Sequence, residues 1–159
     1  MSADPDSTDT AWVGLGSNLG HRGANLARLR DALATNGVEI LAISPEIVTR
    51  PVGVTAQGDF HNQVVRLRSP VAWPPARWLA HCKAAEVAAG RRRTYPWGPR
   101  IADADILVLG EHGQIHVRQP SLTVPHAELE NRPFERELLA AAGYTPAERG
   151  PQMGRRSAS

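Results

Sequence analysis

A single cysteine, Cys82, stands in the 159 residues, so an internal disulfide framework is excluded. No apolar run approaches the roughly 20 residues that a helix needs to cross a bilayer. The opening stretch from Met1 to Thr10 is polar and acidic and lacks the apolar core of a secretory signal. These absences lead to the expectation of a cytoplasmic protein with no membrane association. Aromatics are scarce, with two Phe, two Tyr and four Trp, so each one near a candidate site carries weight. Charge of either sign is not in excess: 18 Lys plus Arg face 16 Asp plus Glu. Affinity for a polyanion has to come from a local cluster. Arg91, Arg92 and Arg93, with Arg100 nearby, form one. The same cluster also reads as a solvated loop.

The length suits one domain with a substantial core. No internal repeat is visible. Residues 1–10 read as a disordered leader, 11–145 as a single domain and 146–159 as a disordered tail. Trp12 to Gly16 reads as a buried strand running into the turn-rich Gly16-Ser17-Asn18-Leu19-Gly20. Leu26, Leu29 and Leu33 have helical spacing, with Gly37 as the stop. Val38 to Val48 reads as one strand and Phe60 to Leu67 as another, separated by a loop from Thr49 to Asp59 that holds Pro51, Gly53 and Gly58. Pro74 and Pro75 suit a first helical turn, and Trp78, Cys82, Ala85 and Ala89 form one helical stripe ending at Gly90. A loop from Arg91 to Ile101 leads to a strand through Val108. A hairpin-like segment, a turn at Pro125-His126 and a helix from Phe134 to Ala142 follow. The order is that of a ferredoxin-like βαββαβ α/β (α+β) sandwich, mostly antiparallel, with helices on one face of the sheet.

The chemistry concentrates in Trp97-Gly98-Pro99-Arg100-Ile101-Ala102-Asp103-Ala104-Asp105. Side chains two apart on a strand share a face, so Asp103 and Asp105 point the same way. Two close carboxylates repel unless a cation lies between them or one takes a proton. Mg²⁺ takes hard oxygen ligands, often one or two carboxylates completed by water and phosphate. Arg100 can hold a phosphate by a charge-assisted fork. An Asp-x-Asp alone is also common in surface loops. Here the apolar run from Ile106 to Leu109 makes the strand read as central, where unpaired carboxylates are costly.

Other residues converge on the same reading. The only two phenylalanines, Phe60 and Phe134, read as core residues or as rings that sandwich a flat heterocycle. Asn62 shares a strand face with Phe60, and its amide both donates and accepts. His126, in a turn sequence after Pro125, can donate to a phosphate oxygen as a protonated imidazole. His21, His61, His81, His112 and His116 have no comparable context. Tyr95 and Trp97 among the arginines keep a ferredoxin-like RNA-binding module open, although its aromatic strand signatures are missing.

Four blocks in order resemble the 6-hydroxymethyl-7,8-dihydropterin pyrophosphokinase family of the folate pathway. They are Gly16-Ser17-Asn18-Leu19; Thr49 to Gly53 with Gln57, Phe60 and Asn62; Glu86 with Gly90-Arg91, Trp97-Gly98-Pro99-Arg100, Asp103 and Asp105; and Leu122-Thr123-Val124-Pro125-His126 with Arg132 and Phe134. The resemblance implies transfer of a diphosphoryl group from ATP to the hydroxymethyl group of the pterin, releasing AMP. It implies that Asp103 and Asp105 bind two Mg²⁺ ions, and that Arg91 and Arg100 hold phosphates from a loop that closes over ATP. His126 and Arg132, with Ile106 and Thr123 near the adenine, are the implied remaining ATP contacts. Phe60 and Phe134 would stack the pterin, while Asn62, Thr49 and the backbone at Val52 read its polar edge. Glu86 and Gln57 are implied as supporting. The implied partners are these two small substrates, with no nucleic acid and no membrane, and the protein is expected to be a monomer. A divergent paralogue with altered substrate or weak turnover is the alternative inside the family. The chain departs from the family at Arg50, His61, Gln63, Pro96, Ile101 and Ala102. It departs again at Glu135, Arg136 and Glu137, where the family is usually apolar.

Overall fold

Strand β1 (Thr8–Ser17) is buried on both faces, so its alternation divides the molecule into two cores. Ala11, Val13 and Leu15 face one core, and Trp12 faces the other. The structure, a computed structural model, describes residues 4–50, 58–91 and 99–147. β1 pairs antiparallel with β4 (Phe60–Trp73) on one side and β5 (Asp103–Leu109) on the other. β2 (Glu39–Ile43) and β3 (Ile47–Thr49) both pair antiparallel with β4. Helix α1 (Arg22–Leu33) follows β1, and α2 (Pro75–Ala88) follows β4. With the order β2-β4-β1-β5, this is the expected ferredoxin-like sandwich.

Leu26, Leu29 and Leu33 of α1 share a core with Trp78, Cys82 and Ala85 of α2 and with Val13, Leu15, Val65 and Leu67 of the sheet. Their helical spacing is the period read in the sequence. A third helix, α3 (Pro133–Ala141), lies outside the six-element unit and packs on the opposite face. There Leu138 and Leu139 meet Trp12, Val64 and Leu107.

Several boundaries differ from expectation for identifiable reasons. β1 begins at Thr8, inside the segment read as leader: Thr8 pairs with Trp73, and its carbonyl accepts from Trp78 Nε1 at 2.9 Å. β4 therefore continues to Trp73 alongside it. The single strand expected from Val38 to Val48 is broken. Ile43 lies opposite Val65 and Ile47 opposite Asn62, so the edge carries one extra residue as a bulge. Ser44 Oγ accepts from Val64 N at 2.8 Å there, and Pro45 has no N–H to offer the ladder.

β5, expected to be central, is the last strand of its sheet. The hairpin of β6 (Val117–Gln119) and β7 (Leu122–Val124), with the chain around it, shields that edge. His126 N donates to Leu107 O at 2.8 Å, and Leu109 bridges to Ile115. A shielded edge strand is buried on both faces and so has the apolar pattern of a central one. No described helix is long and apolar enough to cross a membrane.

The two-core arrangement sets an expectation for stability. Leu67→Ala, at a fully buried site, costs about 2–5 kcal/mol. Val87→Ala, at a position 70% exposed, stays within about 0.5 kcal/mol. Urea unfolding of the two variants beside the parent checks both.

Candidate active site

The site grows from the face of the sheet opposite α1 and α2. Asp103 and Asp105 both line one cavity there, as their two-residue spacing requires. Their partners across the β1–β5 ladder are Gly16 and Gly14. Glycine keeps this floor clear. A Cβ on Gly16 would stand 3.6 Å from both Asn62 Oδ1 and a Phe60 ring carbon, taking space between the walls. The cavity measures about 370 Å³, in the range of small-molecule sites. Thr49, Phe60 and Asn62 form one side, Arg100 and the two aspartates another, and Arg132, Phe134 and Glu135 a third. Asn62 Nδ2 donates to Thr49 Oγ1 at 2.8 Å, which fixes the amide on the wall. The Arg100 guanidinium lies over the Phe60 ring, 6.0 Å from its centre. Asn18 positions that arginine: its Oδ1 accepts from Arg100 N at 2.7 Å, and its N–H donates to Arg100 O at 2.9 Å.

Charge is concentrated at the aspartates. Arg91 Nη1 donates to Asp103 Oδ1 at 2.6 Å and to Glu86 Oε2 at 3.0 Å. Arg100 Nη1 lies 3.5 Å from Asp103 Oδ2. Burial works to raise the Asp103 carboxyl, but the charge of Arg100 and the hydrogen bond and charge of Arg91 outweigh it and hold the group below the ordinary range. Asp105 has no such help. Burial pushes it well above the ordinary range, and neighbouring Asp103 adds to the effect, followed by Glu86 and Glu135. Glu86, on α2, is also raised by burial, although Ala104 N donates to its Oε2 at 2.8 Å. Glu86, Asp103 and Asp105 each offer an oxygen, and these oxygens all lie within 4.8 Å of one another. Three hard oxygen donors, one of them averse to ionising without added positive charge, fit a divalent cation.

A second cavity of about 150 Å³ shares Asp105 with the first. It lies at the shielded edge of β5 and is lined by Leu79 and Lys83 of α2, Ile106, Leu122, Thr123 and His126. His126 is half-buried. Burial and then the charge of Arg132 push its imidazole below the ordinary 6.5. A shift in that direction runs against the protonated imidazole expected from sequence. A neutral ring still donates: Nδ1 accepts from Glu128 N at 3.1 Å, which leaves the proton on Nε2.

The structure thus gathers Thr49, Phe60, Asn62, Arg100, Asp103, Asp105, Arg132 and Phe134 around one cavity, and Asp105, Ile106, Thr123 and His126 around the other. Arg91 joins them through Asp103. Val52, Gln57, Pro96 and Trp97 lie outside the described residues, as do Arg92 and Arg93. Sequence reading missed Lys83, whose Nζ lies 3.6 Å from Glu86 Oε1. The signal was a second helical face beside the core stripe, since Leu79, Lys83 and Glu86 recur at spacings of four and three. Glu128 and Asn131, also in the first cavity wall, carried no such signal.

Comparison with known proteins meets this geometry from another side. The family model described as 7,8-dihydro-6-hydroxymethylpterin-pyrophosphokinase matches residues 12–142. The chain is similar to a 2-amino-4-hydroxy-6-hydroxymethyldihydropteridine pyrophosphokinase of Methylorubrum extorquens, 36% identical over 125 residues, covering 78% of this chain and 76% of that protein. A protein of the same description from Mycobacterium tuberculosis is 35% identical over 128 residues, covering 77% of this chain and 66% of its own length. A mitochondrial folate synthesis bifunctional protein of Pisum sativum is 35% identical over 122 residues, 77% of this chain but 23% of the longer protein.

The lowered pKa of His126 is open to direct measurement. An NMR titration of the ligand-free protein should give a His126 midpoint below 6.5. A midpoint at or above that value contradicts the burial and Arg132 proximity described for the ring.

Proposed function

The chain belongs to the 7,8-dihydro-6-hydroxymethylpterin-pyrophosphokinase family, and from that membership we propose that it transfers diphosphate from ATP to 6-hydroxymethyl-7,8-dihydropterin in folate biosynthesis. The observation that carries this reading is the pair of cavities meeting at Asp105. One is walled by aromatic rings and an amide, as a flat polar heterocycle requires. The other mixes apolar side chains, Leu79, Ile106 and Leu122, with the polar Lys83, Thr123 and His126, which suits a purine nucleotide. Two substrates held at a shared carboxylate bring their reacting ends together.

In this assignment the pterin lies between Phe60 and Phe134, with Asn62 and Thr49 meeting its polar edge. The nucleotide base lies against Ile106 and Leu122, with Thr123 and His126 at hydrogen-bonding positions. The hydroxymethyl oxygen of the pterin attacks the β-phosphorus of ATP. A new P–O bond forms there, the bond from that phosphorus to the bridging α,β oxygen breaks, AMP leaves with that oxygen, and the hydroxyl proton passes to solvent. The attacking oxygen belongs to the substrate, so no side-chain nucleophile is needed. Positioning and charge stabilisation dominate such a transfer. Arg91 and Arg100 neutralise Asp103 in the ligand-free protein, and a polyphosphate presents them with a bidentate partner of higher charge. Asp103 and Asp105 are the residues that would hold two Mg²⁺ ions, with Glu86 behind them. When bound, magnesium supplies positive charge that screens the polyphosphate. The same reading takes the enzyme to be a cytoplasmic monomer. An RNA-binding sheet needs an open aromatic face, whereas here α3 packs on that face and carboxylates line its cleft.

Purified protein with ATP and Mg²⁺ should release AMP only when hydroxymethyl-dihydropterin is present. AMP release indifferent to the pterin would overturn the assignment. Asp105→Ala should lower turnover by more than about 100-fold while circular dichroism stays that of the parent. Phe134→Ala should weaken pterin binding about tenfold or more and nucleotide binding by less than about twofold. Equal losses would make Phe134 a core residue instead.

A further inference from the structure

Glu135 follows Phe134 in the chain. It lies in the first turn of α3 and is 7% exposed, yet it lines the same cavity as Asp103 and Asp105. One carboxylate oxygen lies 3.3 Å from Arg132 Nη1. The other is pressed onto β1 so closely that a Cβ on Gly14 would stand only 2.9 Å away. Gly14 is the ladder partner of Asp105, so the carboxylate sits over the floor next to that aspartate. The Leu107 side chain also lies close over this glycine. Burial raises the pKa of Glu135, and the charge of Arg132 and its hydrogen bond only partly offset this. A carboxyl raised by folding destabilises the folded state while ionised, and that penalty fades as pH falls through its folded pKa. Core packing therefore does not account for Glu135.

Its partner stands at the seam of the site. Arg132 lines the first cavity, and its charge lowers the pKa of His126, which lines the second. An arginine side chain that is one-third exposed has many rotamers open to it, and a buried carboxylate selects among them. We propose that Glu135 is a positioning residue for diphosphoryl transfer, holding the Arg132 guanidinium at the junction of the two cavities so that its remaining N–H groups meet the nucleotide phosphates. This rests on the pyrophosphokinase reading above. Glu135 acts through Arg132 and not on the pterin, and this separates it from its neighbour Phe134.

The test compares the full-length parent with Glu135→Met, Glu135→Gln, Arg132→Ala and the Arg132→Ala/Glu135→Met double variant. Thermal unfolding at pH 7 is read beside calorimetric binding of a non-hydrolysable ATP analogue with Mg²⁺, and of the pterin. Glu135→Met should unfold at the same or a higher temperature and still bind the ATP analogue about five- to tenfold more weakly. Its pterin affinity should fall by less than its affinity for the analogue, and the double variant should bind the analogue no more weakly than Arg132→Ala. Glu135→Gln, which keeps an acceptor oxygen, should recover part of the loss. Unchanged analogue binding in a folded Glu135→Met protein overturns the proposal. So do additive losses in the double variant, or a joint fall of stability and both affinities, the mark of a structural role. A parent that binds neither the analogue nor the pterin overturns the pyrophosphokinase reading and this proposal with it.

Discussion

Asp103 stays ionised inside a cleft because two arginines hold it, Arg91 from the end of α2 and Arg100 from the approach to β5. An isolated buried carboxylate would take a proton instead. The same guanidinium of Arg91 reaches Glu86 and the Ala102 carbonyl, and Glu86 accepts from Ala104 N. The cluster therefore clamps the end of α2 to the start of β5. It also leaves Asp105 as the group with nowhere to put a negative charge. Breaking such a network from one side is costly, because the remaining charge is stranded. The arrangement suits a site whose arginines exchange a protein carboxylate for substrate phosphates.

The fold places that local electrostatics where two cavities meet. β5 is the last strand of the sheet, so Asp105 can border a cavity over the sheet face and another at the sheet edge. A strand in the middle of the sheet has no such free edge. The face cavity needs a bare floor, which Gly14 and Gly16 provide. It also needs a wall opposite β4, which the start of α3 provides with Phe134 and Glu135. The edge cavity needs a lining that leaves β5 shielded, and β7 with His126 provides it.

Much of this was legible in the sequence. The period of two placed both aspartates on one face, helical spacing identified the core sides of α1 and α2, and the ordered motif blocks pointed to the family that the comparisons show. Long-range packing decided what was not legible. The apolar run after Asp105 has the same composition whether neighbouring strands or a hairpin cover it, so the edge position of β5 was hidden. The bulge at Ser44-Pro45 depends on a hydroxyl meeting a backbone N–H on β4. The lowered pKa of His126 depends on its burial and then on the charge of Arg132, six residues away in sequence and brought close by the turn Leu129–Asn131. The raised carboxyl of Glu135 depends on a glycine from the first strand.

The pterin and the nucleotide are expected in separate cavities joined at Asp105. A crystal structure of the protein with hydroxymethyl-dihydropterin, a non-hydrolysable ATP analogue and Mg²⁺ tests this most directly. The pterin should lie between Phe60 and Phe134, the purine against Ile106 and Thr123, and the polyphosphate between them beside Asp105, with Arg91 and Arg100 turned toward it. A purine between the two phenylalanines, or a polyphosphate away from Asp105, would contradict this arrangement.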